Sequence, residues 1–321
     1  MAELTLSVLD TSPIVAGSSA AEALHRTLDL AGLADRLGYH RYWVPEHHGM
    51  RGVACAEPAV LAGAIAAGTS RLRVGAGGVS LPNHPPLLVA ERWGMLAALH
   101  PDRIDLGIGR APGGAPSMAA ALRRPPEATT AEAHATAVAE LLSCFAPGSR
   151  AVPARENRPE IWLLGSSGTG ARLAAEHGLP CAHAYHLDPA GAAEAARVHR
   201  EAFRPSARPA TLVSVAVICA GTDAEAEWLA GSVRAKALGR RRGRRVLLPS
   251  PDRAAADLVG LDRAEVLACS PGLVAGSPDT VRRELAAIAA RTGTGELMIT
   301  TPVHDHELRR RSYELLADAV R

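Results

Sequence analysis

Aromatic side chains are scarce in this sequence, at 3% of 321 residues, and Lys236 is the only lysine. The five cysteines are odd in number, widely scattered and without a Cys-x-x-Cys pair. Such a set argues against a disulfide framework and a thiolate metal site, so we expect a reducing, cytoplasmic environment. The formal net charge is only +2 at pH 7, and nothing in that balance requires nucleic acid or a membrane surface as a partner.

Long apolar runs are also missing, since no stretch approaches the roughly 20 residues of a membrane-spanning helix. The first six residues alternate apolar and polar side chains and include an acid. They therefore predict a first strand rather than a signal peptide. The composition, 47% hydrophobic and 21% charged, is that of a soluble chain with a substantial core. We expect residues 1–321 to form a single domain.

Apolar runs of strand length alternate with stretches of helical periodicity along the chain, which predicts a closed parallel (β/α)8 barrel, or TIM barrel. A doubly wound open sheet is the alternative, but residues 10–13 read Asp-Thr-Ser-Pro where its first glycine-rich turn belongs. Residues 239–277 interrupt the alternation and predict a partly helical insertion near the barrel mouth. The eight predicted strands lie near residues 4–9, 41–46, 71–81, 103–110, 160–166, 180–186, 210–220 and 296–302.

The second predicted strand runs directly into Glu46, His47 and His48. In a parallel barrel these residues lie at the carboxyl end of a strand, where catalytic groups collect. A histidine there can exchange a proton near neutral pH, with Glu46 available to orient it. A structural pair bonded to loop backbone is the alternative interpretation.

Glycines end the third predicted strand, and an arginine ends the fourth. Gly77 and Gly78 remove side chains where the mouth begins, so a flat ligand could approach the backbone; a bulge that shapes the barrel is an equally good explanation. Arg110 follows the fourth strand, where a guanidinium can bind a phosphate or carboxylate.

The fifth strand leads into a Gly-Ser-Ser-Gly-Thr-Gly run, and a helix follows. Bare amides, hydroxyls and the positive end of the helix dipole predict a phosphate site. A simple helix N-cap would explain one serine but not the whole run. The run does not fit the nucleotide triphosphate loop, Gly-x-x-x-x-Gly-Lys-Ser/Thr. The candidate phosphate ligands are Gly165, Ser166, Ser167 and Thr169.

Histidines follow several strands, and they could be combined into a metal centre like that of barrel hydrolases. We expect no metal, because the His-x-His pair of the first strand is absent from this sequence.

The order of these motifs resembles the bacterial luciferase-like flavin monooxygenases over essentially the whole chain. The resemblance implies a TIM barrel that uses reduced flavin mononucleotide (FMN) and dioxygen, with the flavin supplied by a separate flavin reductase. It implies that His47 is the active-site histidine, that the Gly77–Gly78 peptide bond is cis beside the flavin ring, and that Arg110, Ser166 and Thr169 contact the phosphate. The motifs are residues 6–13, 46–48, 76–84, 103–113, 163–167 and 311–317.

Some positions depart from the family pattern. Gly109 replaces the cysteine that luciferase carries beside the flavin, and His183 and Tyr185 replace a Phe and a Ser expected in closer relatives, which implies a reshaped substrate pocket. The subgroup it most resembles oxygenates secondary metabolites such as polyketides, by epoxidation or hydroxylation of a small molecule. For the substrate wall we name His84, His183, Tyr185 and His186.

The resemblance leaves two other functions open on the same fold. One is a dehydrogenase that uses the deazaflavin F420 and ignores dioxygen, and the other is a flavin-binding protein without turnover. For the oxygenase we assign proton transfer to His47 and its orientation to Glu46. We also expect a homodimer.

Overall fold

Eight parallel strands close into a barrel in the computed structural model, which describes residues 4–165, 168–204 and 210–320. The strand order is β6-β5-β4-β3-β2-β1-β9-β7, and pairing between β6 and β7 closes the circle. This confirms the predicted TIM barrel and its eight strands, and the open-sheet alternative is wrong. The strands are β1 Thr5–Leu9, β2 Arg41–Val44, β3 Arg73–Ser80, β4 Ile104–Gly109, β5 Glu160–Leu164, β6 Cys181–His183, β7 Thr211–Cys219, β8 Leu273–Gly276 and β9 Glu296–Thr300.

Helices follow the barrel strands and surround them. Their starts obey capping rules: Ser19 and Glu22 form a reciprocal capping box at the start of α1, and several other helices have proline in the first turn. Among the described residues, no helix is both long and apolar enough to cross a membrane. The helices are α1 Ala20–Leu37, α2 Pro58–Ala67, α3 Pro86–Leu99, α4 Met118–Ala121, α5 Ala131–Cys144, α6 Gly168–Glu176, α7 Pro189–Ala202, α8 Asp223–Arg241, α9 Pro251–Leu258, α10 Arg263–Leu267, α11 Pro278–Thr292 and α12 His306–Val320.

The insertion at residues 239–277 contains the end of α8, the short helices α9 and α10, and β8. Leu248 pairs with Val15 in the loop after β1, and β8 extends the sheet along the carboxyl half of β7, from Ala216 to Cys219. Both contacts lie at the carboxyl ends of barrel strands, so the insertion borders the mouth, as predicted. Strand β8 was not predicted, because four residues are too short to give a periodic signal.

The barrel strands separate two apolar layers. The larger core packs between the strands and the outer helices. Side chains alternate between the two faces of a strand. The strand residues that alternate with those of the larger core therefore point to the barrel axis. This inner layer consists of Leu9, Trp43, Trp162, Ala182, Leu212 and Met298.

A buried ion-pair network closes the amino-terminal end of the barrel. Asp105, fully buried in β4, accepts hydrogen bonds from Arg41 at 2.9 Å, Arg73 at 2.6 Å and Trp43 Nε1 at 2.9 Å. Arg41 also pairs with Glu160 and Glu296 at 3.0 Å. A buried charge is tolerated only when it is paired in this way, so the network fixes the strands at this end.

Asp105→Ala should lower the free energy of unfolding by about 3–5 kcal/mol, because it removes a partner of the buried Arg41. Urea unfolding followed by circular dichroism measures the change. The matched control is Glu156→Ala, whose side chain is 68% exposed in a surface pair and whose loss should change little. Equal, small effects of both substitutions would contradict the structural importance of the network.

Candidate active site

Four consecutive strands deliver polar residues to the mouth of the barrel. The loop after β2 carries residues 46–48, the turn after β3 carries residues 81–84, the loop after β4 carries residues 110–114, and Gly165 follows β5. Parallel pairing places these strand ends side by side. The sequence prediction that they form one site is therefore consistent with the topology.

Glu46 is the centre of this group and is only 2% exposed. Its carboxylate lies 2.8 Å from His48 Nε2, 3.0 Å from His84 Nε2, 2.9 Å from Asn83 Nδ2 and 2.9 Å from the backbone N–H of Ser80. Burial raises the pKa of Glu46, but hydrogen bonds from His84 and Asn83 outweigh it and lower the pKa overall. The carboxylate is therefore ionised, and each of the four groups donates to it.

His47 points to a different partner. Its ring Nδ1 lies 3.2 Å from the carbonyl oxygen of Gly113. A carbonyl only accepts, so Nδ1 carries the proton and Nε2 keeps its lone pair. Burial lowers the pKa of His47, and the ring is neutral at pH 7. Glu46, which we expected to orient His47, binds His48 and His84 and makes no hydrogen bond to the ring of His47.

The loop after β4 is tied to the same centre. Gly113 has φ +64°, and a Cβ there would lie 2.5 Å from the backbone oxygen of Glu46, so only glycine fits. The backbone N–H of His48 also donates to Gly113, and Arg124 donates to Asn83 Oδ1 at 2.9 Å. Sequence reasoning missed Asn83, Gly113 and Arg124, because single polar or glycine residues in loops carry no periodic signal.

The glycine pair of β3 lies at the mouth and is partly exposed. The Gly77–Gly78 peptide bond is cis. A Cβ on Gly77 would lie 3.0 Å from Leu9 Cδ1 and 3.1 Å from Trp43 Cε3, and one on Gly78 would lie 2.7 Å from the carbonyl oxygen of Gly107. Side chains are excluded at both positions, which leaves bare backbone facing the mouth.

Arg110 and the glycine-rich turn leave neighbouring strands, since Gly109 pairs with Leu164. Arg110 is exposed, and among the described residues it has neither an ion-pair nor a hydrogen-bond partner. Gly165 and Gly170 lie close together, since a Cβ on Gly165 would be 3.7 Å from the Cα of Gly170, and Thr169 is exposed in the first turn of α6. Two of the predicted phosphate ligands, Ser166 and Ser167, lie outside the described residues.

The four residues named for the substrate wall divide into two pairs. His84 lies at the mouth, where its Nε2 donates to Glu46. His186 reaches Ser214 Oγ at 3.0 Å, and Ser214 lies on the same inward face of β7 as Leu212. Both positions are therefore compatible with a substrate cavity.

His183 and Tyr185 lie elsewhere. His183 shares the outward face of β6 with Cys181, its Nδ1 donates to the carbonyl oxygen of Gly165 at 2.8 Å, and burial lowers its pKa to about 4. Tyr185 packs in the outer core and its hydroxyl accepts from Arg291 of α11. Placing these two side chains in the substrate wall is corrected, because both point towards the helix layer.

The side chains of Glu46, His48 and His84 form a possible cation site, with ligand atoms within 4.8 Å of one another. The sequence did not bring these three together, since His84 is 36 residues from His48. His48 Nε2 and His84 Nε2 both donate to the carboxylate of Glu46. Glu46 is therefore an anion whose carboxylate is surrounded by N–H donors.

Comparison with known proteins decides the family. Residues 4–295 match the luciferase-like monooxygenase family. The chain belongs to this family. A luciferase-like monooxygenase of Escherichia coli (strain K12) is 41% identical over 98% of this chain and 96% of its own length. N-acetyl-S-alkylcysteine monooxygenase of Bacillus subtilis (strain 168) is 33% identical over 99% and 98%. The structure of apo-MsnO8 superposes with a TM-score of 0.92, at 40% identity over 98% of both chains.

The family membership confirms the resemblance found in the sequence. The protein is therefore a flavin-dependent oxidoreductase on a TIM barrel, and its candidate active site lies at the carboxyl ends of β2 to β5.

We expect purified protein to contain far less than one zinc per chain and to keep its activity in EDTA. The reason is that the donors on Glu46 already satisfy its lone pairs, so a cation would have to displace them. Elemental analysis and an activity assay with chelator check this. One zinc per chain, lost together with activity and restored by zinc, would instead establish the Glu46, His48 and His84 set as a metal centre.

Proposed function

We propose that this enzyme is the oxygenase component of a two-component system, using reduced FMN and dioxygen to oxygenate a small organic molecule. The observation that carries the proposal is the exposed guanidinium of Arg110, which is unpaired among the described residues. Arg110 follows β4, whose end pairs with the end of β5, where the glycine-rich turn begins. A positive charge next to the amino terminus of a helix is suited to a phosphate monoester. The alternative is an F420-dependent dehydrogenase, since F420 also carries phosphate.

The residues present fit a flavin. The bare backbone at Gly77 and Gly78 suits the face of a flat ring, and Arg110, Thr169 and the backbone amides of the Gly165 turn would hold the phosphate. When bound, reduced flavin supplies the two electrons with which dioxygen is activated for transfer to the substrate. A separate reductase would return the flavin to its reduced form.

His47 is suited to proton transfer. Because Nδ1 donates to Gly113 and burial keeps the ring neutral, the Nε2 lone pair is available as a base at neutral pH. Glu46 positions the loop that carries His47 and does not touch its ring. We therefore assign Glu46 a positioning role through His48, Asn83 and His84.

The substrate we favour is a small apolar molecule of polyketide type, oxygenated by epoxidation or hydroxylation. The inner wall supports this, because it is aromatic and aliphatic around Trp43 and Trp162, with His186 and Ser214 as polar groups that could orient a carbonyl or hydroxyl. The relative that acts on an N-acetyl-S-alkylcysteine makes thioethers a second substrate class to include. All five cysteines are free thiols, which fits a reducing cytoplasm.

Oxygen consumption separates the candidate functions. The purified enzyme is supplied with reduced FMN, or with reduced F420, and with a panel of polyketides, other aromatics, aliphatic ketones and thioethers. Substrate-dependent oxygen uptake with reduced FMN, and an oxygenated product, supports the proposal. Hydride exchange with F420 that is indifferent to dioxygen would favour the dehydrogenase, and flavin binding without turnover on any substrate would favour the binding protein.

Arg110→Ala should weaken binding of reduced FMN roughly tenfold or more, because it removes a charge-assisted contact to the phosphate. Riboflavin lacks the phosphate, and its affinity should hardly change. Anaerobic fluorescence titration measures both. The control is Arg155→Ala, another exposed arginine in a surface pair, which should leave both affinities unchanged. An equal loss for FMN and riboflavin would remove Arg110 from the phosphate site.

His47→Ala should nearly keep FMN affinity and reduce turnover by roughly 100-fold or more, the scale expected for a lost proton-transfer group. The pH profile adds a sharper test. Burial lowers the pKa of His47 from its ordinary 6.5, so wild-type activity should persist below pH 6.5 and fall at lower pH as the ring becomes protonated. The variant should lack that acidic limb. An acidic limb that is unchanged in His47→Ala would assign the titration to another group.

A further inference from the structure

His183, the last residue of β6, binds the carbonyl group of the residue that follows β5. Strand β6 pairs with β5, and beyond the end of β5 the N–H of Gly165 still donates to the carbonyl oxygen of Ala182. The ring of His183 then donates from Nδ1 to the carbonyl oxygen of the same Gly165 at 2.8 Å. Both backbone groups of Gly165 are therefore bonded to two consecutive residues of β6.

The bond to His183 directs the carbonyl of Gly165 into the helix layer and not into the mouth of the barrel. His183 lies on the same outward face of β6 as Cys181, which packs in the outer core, and only 1% of His183 is exposed. A carbonyl oxygen carries a partial negative charge and would repel a phosphate group, whereas unpaired backbone N–H groups attract one. The orientation of this carbonyl therefore matters to an anion at the mouth.

The run from Gly165 to Gly170 needs support from outside itself. Three of its six residues are glycines, and glycine loses more backbone freedom on folding than any other residue. The two ends of the run lie together, since a Cβ on Gly170 would be 3.8 Å from the Cα of Gly165. The orientation of Gly165 therefore sets where the run begins relative to α6, whose first residue is Gly168.

The two ring nitrogens of His183 are used unequally. Burial lowers the pKa of His183 to about 4, so the ring is neutral at pH 7, and its one proton lies on Nδ1 because a carbonyl only accepts. Nε2 is buried and has no hydrogen-bond partner among the described residues, which is unfavourable. A phenyl ring, which the family resemblance implies at this position, would pack without that cost. The bond from Nδ1 to Gly165 is therefore what the histidine adds.

A second buried histidine in the same layer provides a contrast. His199 of α7 is fully buried, its Nε2 lies 3.0 Å from the carbonyl oxygen of Leu179, and its Nδ1 lies 3.3 Å from Thr211 Oγ1. Both of its nitrogens have partners, and both partners lie at the amino-terminal ends of strands, Leu179 just before β6 and Thr211 at the start of β7. His199 therefore links elements of the barrel, whereas His183 binds the start of a loop at the mouth.

We propose that His183 is a positioning residue for the phosphate of the flavin, because it holds the Gly165 carbonyl in the helix layer and so keeps that oxygen out of the phosphate site. The inference rests on the proposed function, in which Arg110, Thr169 and the Gly165 turn bind the phosphate. His183 acts on cofactor affinity through Gly165 alone, since its own side chain points to the helices.

The affinity for reduced FMN relative to reduced riboflavin tests the proposal. The full-length protein is titrated anaerobically with each, and the ratio of the riboflavin Kd to the FMN Kd reports the contribution of the phosphate. His183→Phe should lower this ratio roughly three- to tenfold, the scale of one neutral hydrogen bond, because the released carbonyl can then turn towards the phosphate. The affinity for riboflavin itself should hardly change.

Two variants of similar shape separate the hydrogen bond from packing. His183→Asn places its amide Nδ2 near the position of the ring Nδ1 and should keep the ratio within about twofold of the wild-type value. His183→Leu has a similar branched side chain without a donor, and its ratio should fall as in His183→Phe. The control is His199→Phe, which removes the other buried histidine and should leave the ratio unchanged. Circular dichroism checks that each variant is folded.

The proposal is overturned if His183→Phe and His183→Leu keep the wild-type ratio. It is equally overturned if His183→Asn loses as much as His183→Leu, which assigns the effect to shape, or if riboflavin and FMN lose affinity together. Failure of the phosphate site itself has a different signature: the wild-type protein would bind FMN no better than riboflavin, and Arg110→Ala would change neither affinity. That result would remove the role of His183 together with the site.

Discussion

The carboxylate of Glu46 joins three loops that leave three different strands. It stands just after β2 and accepts from Ser80 at the end of β3 and from Asn83 and His84 beyond it. Asn83 also donates to the carbonyl of Pro112 beyond β4. A buried carboxylate without donors would be very unfavourable, so the loops can fold only where they supply them. The position of His47 depends on this arrangement, because His47 follows Glu46 directly and its ring donates to Gly113, next to Pro112. Glu46 thus fixes the position of His47 without contacting its ring.

The two ends of the barrel are built in opposite ways, and Trp43 connects them. At the amino-terminal end, the buried carboxylate of Asp105 binds Arg41 and Arg73. Trp43 donates its Nε1 to the same Asp105, while its ring lies against Gly77, where a Cβ would be 3.1 Å from Cε3. The indole of Trp43 therefore contacts both the ion-pair network and the glycine pair. The amino-terminal end carries charged side chains, whereas the glycine pair at the carboxyl-terminal end has no side chains.

The strands were predictable because each is an apolar run followed by a helix, and the barrel follows from counting them. The partners of Glu46 were not predictable in this way. Sequence adjacency suggests His47 as its partner, yet the ring of His47 turns towards Gly113, while His84 arrives from a distant loop. Likewise the family resemblance placed His183 and Tyr185 in the substrate wall, but His183 shares the outward face of β6 with Cys181, and Tyr185 packs in the outer core. Strand order determines where a loop lies, and only the local backbone determines what its side chains face.

Helix α2 contains no charged or hydrogen-bonding side chain, and it follows one of the loops of the site. Here the loops bearing His47 and His84 run into α2 and α3, whose exposed sides are apolar from Val60 to Leu99. Glu46 restrains both loops at their centre, because it accepts hydrogen bonds from His48 and His84. A site that must exclude water while it handles a proton benefits from this restraint, since it removes a motion that would open the loops around His47.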